Sequence, residues 1–180
     1  EELNEVFLAV SSMCRDSVAI QSELADGDIC NLIIAVLNHK MLICSESNML
    51  NEIITILSYG IRAILALVSG NNSIVNQTVL AKCVESKICN VAIECLNLSI
   101  KQLARYDTLI LPNIHATGVE AILPDRAVVQ DLAEHSLMLT ENLLLHPLMY
   151  CQLVKEDLGC GILLVDCLKR VSKVRSVLVE

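Results

Sequence analysis

The sequence has 180 residues, 54% of them hydrophobic but only 2% aromatic, with no Trp, six Gly and three Pro. Aliphatic side chains must therefore pack the core, and so few turn formers leave little room for an all-β fold. The net charge of −8 repels nucleic-acid phosphates, so no nucleic acid is expected as partner, and it suits a basic protein segment instead.

The chain opens EELNEVFLAV, with neither a basic start nor a cleavage site, so no signal peptide is read. It also lacks an initiator Met, and the expectation is an excised segment of a longer chain. Residues 1–14 predict a helix with Leu3, Val6, Phe7 and Val10 on its buried stripe and Glu residues at its N-terminal dipole end. Asp16-Ser17 can cap a short helix that carries Val18, Ile20 and Leu24 and ends at Asp26-Gly27. A second helix is expected over 28–39, then a connector over 38–45 with Met41-Leu42-Ile43 at its centre.

Ser45 or Ser47 can cap a long helix over 46–69. Leu50, Ile53, Ile54, Leu57, Ile61, Ile64, Leu65 and Val68 form its apolar side. Asn48, Asn51, Glu52, Thr55, Ser58, Tyr59, Arg62, Ala66 and Ser69 draw one polar stripe along the other. The most apolar window, 53–68, is shorter than the about 20 residues a membrane span needs, and Arg62 interrupts it. No membrane span is expected, despite a mean hydropathy of +0.57. Gly60 lies inside the helix, where it marks close packing. The helix stops at Ser69-Gly70-Asn71-Asn72, since Gly and Asn accept the left-handed conformation that closes helices.

A further helix pair is expected over 73–85 and 87–105. Residues 106–123 then break the pattern, with Pro112, Gly118 and no clean period. Leu109-Ile110-Leu111 must bury there, against either their own helices or a partner. Pro124-Asp125 starts another long helix, to about Leu145, whose polar stripe is Gln130, Glu134 and Glu141. His146-Pro147 ends it, and a last pair is expected over 148–156 and 159–175.

These elements repeat. Three stretches, 12–37, 61–98 and 141–168, carry a glutamine (Gln21, Gln77, Gln152) with a leucine close behind and end in an apolar helix. Ile-Cys-Asn recurs at 29–31 and 88–90, eight residues before Leu37 and Leu96. The repeats are assigned to about 1–14 (partial), 16–70, 72–146 and 147–180 (partial), within one continuous domain. Neither terminus carries the polar cap a repeat array needs, so further repeats are expected outside the segment.

No phosphate loop, nucleophile elbow, zinc helix or calcium loop occurs. Nine Cys, most on apolar stripes and none in C-x-x-C spacing, read as reduced core thiols of a cytoplasmic or nuclear protein. Cys151, five residues after His146, is the nearest approach to a catalytic thiol, and a basic cluster at Lys169, Arg170, Lys173 and Arg175 reads as a solvated face. No enzyme activity, cofactor or metal is expected.

The order short, medium, long helix, with ALVSGN at 66–71 and LADGDICNLIIAVL at 24–37, resembles the armadillo repeat. The resemblance implies an all-α fold, a right-handed α-solenoid of three-helix repeats. It also implies a partner protein bound in a concave groove lined by the third helices. By position, that groove holds Asn48, Asn51, Glu52, Thr55, Tyr59 and Arg62, then Gln130, Glu134 and Glu141. The nuclear-import members of the family hold a Trp and an Asn four residues apart on this helix, where this chain has Arg62 and Ala66. The expectation is a scaffold or adaptor with Tyr59 and Arg62 as anchors. The alternatives are an assembly subunit packing through its ends or residues 106–123, and a regulatory segment of a larger enzyme.

Overall fold

The structure, a computed structural model, describes residues 2–44, 50–70, 75–86, 88–109 and 124–144. Among these residues the chain is all-α, with seven helices and no strand. In order they are α1 (Glu2–Cys14), α2 (Val18–Asp26), α3 (Ile29–Cys44), α4 (Leu50–Ser69), α5 (Gln77–Glu85), α6 (Ile88–Leu109) and α7 (Arg126–Leu144). Several expectations lie outside the described residues: Asn48, the caps Ser45 and Ser47, Asn71-Asn72, residues 110–123, the His146-Pro147 stop and everything after it.

Two helix triplets follow α1, of 9, 16 and 20 residues and then of 9, 22 and 19. Both open on the same device. Ser17 has extended backbone, and its Oγ accepts a hydrogen bond from Ile20 N at 3.3 Å. Asn76 does the same, its Oδ1 accepting from Val79 N at 3.3 Å. Each cap satisfies a backbone donor that the first turn leaves unpaired.

Ser17 and Asn76 are 59 positions apart, the spacing that also relates Ile29-Cys30-Asn31 to Ile88-Cys89-Asn90 and Leu37 to Leu96. This frame corrects the glutamine match. Gln21 corresponds to Leu80, and it is buried, whereas Gln77 is exposed at the start of α5.

The connector expected over 38–45 is helix as far as Cys44. No Gly or Pro stands there to end α3, and Met41 packs on the core with its sulfur 4.0 Å from Cys95 Sγ. Only Leu42 and Ile43 of its apolar centre are exposed. In the same way α6 passes through Arg105 to Leu109, so the stretch 106–123 begins as helix. The turn between α2 and α3 also differs from expectation. Gly27 has an ordinary negative φ, and the left-handed angle falls on Asp28, at φ 65°. Aspartate tolerates that angle better than most residues.

Helices at matching places in the triplets lie side by side: α2 against α5, α3 against α6, and α4 between α1 and α7. α4 also packs on α3, so most of its circumference is covered. Ile54, Leu57, Ile61, Ile64, Leu67 and Val68 are fully buried. The helix itself is 20 residues long, and with mean hydropathy 1.6 it meets the length and apolarity of a membrane span. Length therefore does not argue against a span. The burial of 72% of its apolar window against the other helices accounts for that apolarity instead.

Gly60 sits where three helices converge. A Cβ there would lie 2.5 Å from Leu37 Cδ2 on α3 and 3.2 Å from the Phe7 ring on α1. At the end of α4, Gly70 has φ 54° and donates to Ala66 O at 3.0 Å, the helix-closing geometry that its sequence context predicts.

Candidate partner-binding surface

The polar stripe expected along 46–69 is narrower in the structure. Ser58 and Ser69 are buried, and Ser69 Oγ donates back to Leu65 O at 3.1 Å. Asn51 and Glu52 are exposed, while Thr55, Tyr59 and Arg62 are half-buried. On α7, Glu141 is exposed and Gln130 and Glu134 are half-buried.

The structure lays the two helices that carry these sets against each other. Asn51 Oδ1 accepts from Asp125 N at 3.2 Å, which fixes the start of α4 beside the start of α7. Ten or so residues further along both helices, Arg62 lies close enough to His135 to act on its charge. The two helices therefore run parallel.

Two of the expected groove residues are already engaged within the chain. Asn51 uses its carbonyl oxygen as a cap for α7, next to Asp125, whose own Oδ1 accepts from Ala127 N at 2.9 Å. Thr55 donates its hydroxyl to Asn51 O at 2.8 Å. Tyr59 rests its ring on the apolar core. Arg62 differs from these, for among the described residues its guanidinium has neither hydrogen bond nor ion pair.

Arg62 lines a hollow of about 170 Å³ between α1, α4 and α7, with Ser11, Arg15, Leu65, Ala66, Gly70, His135 and Met138. The sequence reading missed Ser11, Arg15, His135 and Met138. Met138 stands 51% exposed on the polar side of α7. The 1–14 helix, assigned to a partial first repeat, lies on one side of α4 as α7 lies on the other, and their placement is what brings these residues to the hollow. Burial lowers the His135 imidazole below its ordinary value, and Arg62 lowers it further, against the opposite pull of Asp131 and Glu134. His135 Nδ1 is buried without a hydrogen-bond partner.

A second hollow, of about 370 Å³, lies where the α2–α3 turn meets α5 and is lined by Asp26, Asp28, Cys30, Asn31, Lys82, Glu85 and their neighbours. Lys82 closes it by an ion pair to Asp26, and Ser86 donates to Asn31 Oδ1. Interaction of the lining residue Cys30 with the buried Cys83 thiol, with Lys82 nearby, lowers the Cys30 thiol, while the same interaction and burial raise Cys83.

None of the six described cysteines is in a disulfide, and five are buried. Burial pushes Cys14 up to about 11 and raises Cys44 and Cys95 as well. These are the properties of core thiols. Cys151, Cys160, Cys167 and the basic cluster after Leu168 lie outside the described residues. Among the described residues no group of three or more His, Cys, Asp or Glu side chains is placed to hold a metal ion. Compared with family models, with curated proteins and with solved structures, the chain matches none.

Proposed function

We propose that the chain is a segment of an armadillo-type α-solenoid that acts as a protein-binding scaffold, holding an extended segment of a partner along the polar side of α4 and α7. The observation that carries this reading is the placement of α4 between α1 and α7, with α2 against α5 and α3 against α6. Helix triplets stacked in this way present equivalent helices as one continuous surface, the geometry by which repeat proteins hold extended partners. Tyr59 and Arg62 are the anchors on this reading. One offers an aromatic edge braced by the core and the other an unpaired guanidinium, the residue types that dominate binding energy at interfaces. Catalysis is no part of this reading, nor is a cofactor.

The test is a pull-down from cell extract with the wild-type chain beside a Tyr59→Ala/Arg62→Ala variant of equal thermal stability. The reading predicts a protein captured by the first and lost by the second. Identical captures would remove the groove from the account.

A second reading, an assembly subunit, is favoured by one observation. Val6, Met13, Val18, Leu32 and Leu42, on α1, α2 and α3, are 47–76% exposed. On that reading the mass in solution rises with concentration, and Leu32→Lys or Leu42→Lys abolishes the rise.

A further inference from the structure

We propose that the hollow between α1, α4 and α7 is an anion-recognition point that takes one acidic side chain of the partner. The inference rests on the groove reading and supplies the chemistry of what the groove holds.

Arg15 just past the end of α1, Arg62 on α4 and His135 on α7 converge on this hollow, and among the described residues no acidic side chain lines it. The half-buried Arg62 guanidinium has no partner among the described residues, and His135 Nδ1 is buried without one. Polar groups left unpaired in this way are costly, and an oxyanion supplies the acceptors they lack. The planar fork of an arginine matches a carboxylate with two parallel hydrogen bonds. Asp131 and Glu134 approach His135 from its own helix, yet neither forms an ion pair with Arg62. They would repel a long acidic run and so restrict the point to a single anionic group.

Size points the same way. At about 170 Å³ the hollow is smaller than the ~300–1,000 Å³ of small-molecule sites. It admits the head of one side chain and opens toward the surface where the rest of an extended chain would lie. The net charge of −8 suggests a basic partner, but the charge at this point is of the opposite sign.

The test titrates the isotope-labelled 180-residue chain with three pentapeptides, Ac-Gly-Ser-Xaa-Ser-Gly-NH2 with Xaa as Glu, Gln or Lys, and with inorganic phosphate. The Glu peptide is expected to shift the backbone amides of Ser11, Arg15, Arg62, Gly70 and His135. Its affinity should exceed that of the Gln peptide about tenfold. Arg62→Gln should erase this difference without changing the thermal midpoint, and Arg15→Gln should reduce it. Phosphate shifting the same amides also supports the inference.

Equal affinity for the Glu and Gln peptides would overturn it, with the groove still standing as a neutral surface. Tighter binding of the Lys peptide would overturn it in favour of the acidic stripe. Absence of any shift in these amides, or an Arg62→Gln chain that still prefers Glu, would overturn it as well. Mapping the partner on α4 and α7 by an independent method tells these failures apart from failure of the groove itself.

Discussion

Gln21 occupies the space that a side chain at Gly70 would need. A Cβ at Gly70 would stand 2.7 Å from Gln21 Nε2 and 2.8 Å from Arg15 O. The amide uses that space to tie two helix ends together. Gln21 Nε2 donates to Cys14 O at the end of α1 at 3.0 Å and to Ala66 O near the end of α4 at 3.1 Å. Asn76, the cap of α5, reaches the same knot through Gln21 Oε1 at 3.4 Å and Ser22 Oγ at 3.2 Å. One glutamine thus joins α1, α2, α4 and the start of the second triplet.

Gly70→Ala is expected to destabilise the chain by about 2–4 kcal/mol, combining left-handed backbone strain with crowding of the Arg15 carbonyl and the Gln21 amide. Gln21→Leu should cost about 1–3 kcal/mol, because the buried Cys14 carbonyl loses a donor and the Ala66 carbonyl keeps only that of Gly70. The double variant should cost less than the sum, since both changes break the same contact. Urea denaturation of the four chains measures the cycle, and strict additivity would show that the two residues act separately.

Gly60→Ala places a methyl 2.5 Å from Leu37 Cδ2. Ordinarily alanine improves a helix by about 1 kcal/mol over glycine. Here overpacking should reverse the sign and cost about 1–3 kcal/mol. Shortening Leu37 to Val in the same chain should recover part of the loss, read as a rise in the thermal midpoint over Gly60→Ala alone. A stabilised single variant would mean that α1, α3 and α4 are less tightly packed than the geometry states.

Asn51 was legible as part of the polar stripe of α4 from its spacing, but its bond to Asp125 N needs a partner 74 positions away. Asn51→Ala is therefore expected to lower stability by about 0.5–1.5 kcal/mol, with its main effect on α7. Faster amide exchange at Ala127 and Val128 in that variant is the observation to seek. Unchanged exchange there would return Asn51 to a purely partner-facing role.

Most of the helices, the capping Ser17, the Gly60 contact and the stop at Gly70 were readable in the sequence. Local chemistry decides each of them: apolar period, side-chain acceptors, absence of a Cβ. The cap Asn76 was not, since its helix was expected from residue 73 and begins at Gln77. The end of α3 was not either, because Met41, Leu42 and Ile43 fit a connector or a helix equally well until Met41 meets Cys95. The hollow was not readable either. Arg15, Arg62 and His135 converge only when α1 and α7 are laid against the two sides of α4. The glutamine match misled for a related reason, since composition alone aligned Gln77 with Gln21 and burial separates them.

The His135 imidazole titrates below its ordinary value of 6.5, so the folded chain resists a proton that the unfolded chain accepts. Between the lowered value and 6.5 the unfolded state binds more protons, and stability therefore falls as pH drops through that range. The loss of thermal midpoint on acidification from about pH 8 to about pH 5.5 should be smaller in His135→Gln than in wild type. Buffers without phosphate or carboxylate keep the hollow free of competing anions. An identical acid slope in the two chains would contradict the burial of the imidazole.

The most direct measurement is site-specific photo-crosslinking in cell extract, with a benzophenone amino acid placed in turn at Thr55, Gln130, Glu23 and Glu85. The first two positions lie on the polar side of α4 and α7, and the others on α2 and α5. The groove account predicts one common partner crosslinked from Thr55 and Gln130 and absent from Glu23 and Glu85. Adducts confined to Glu23 and Glu85 would contradict it.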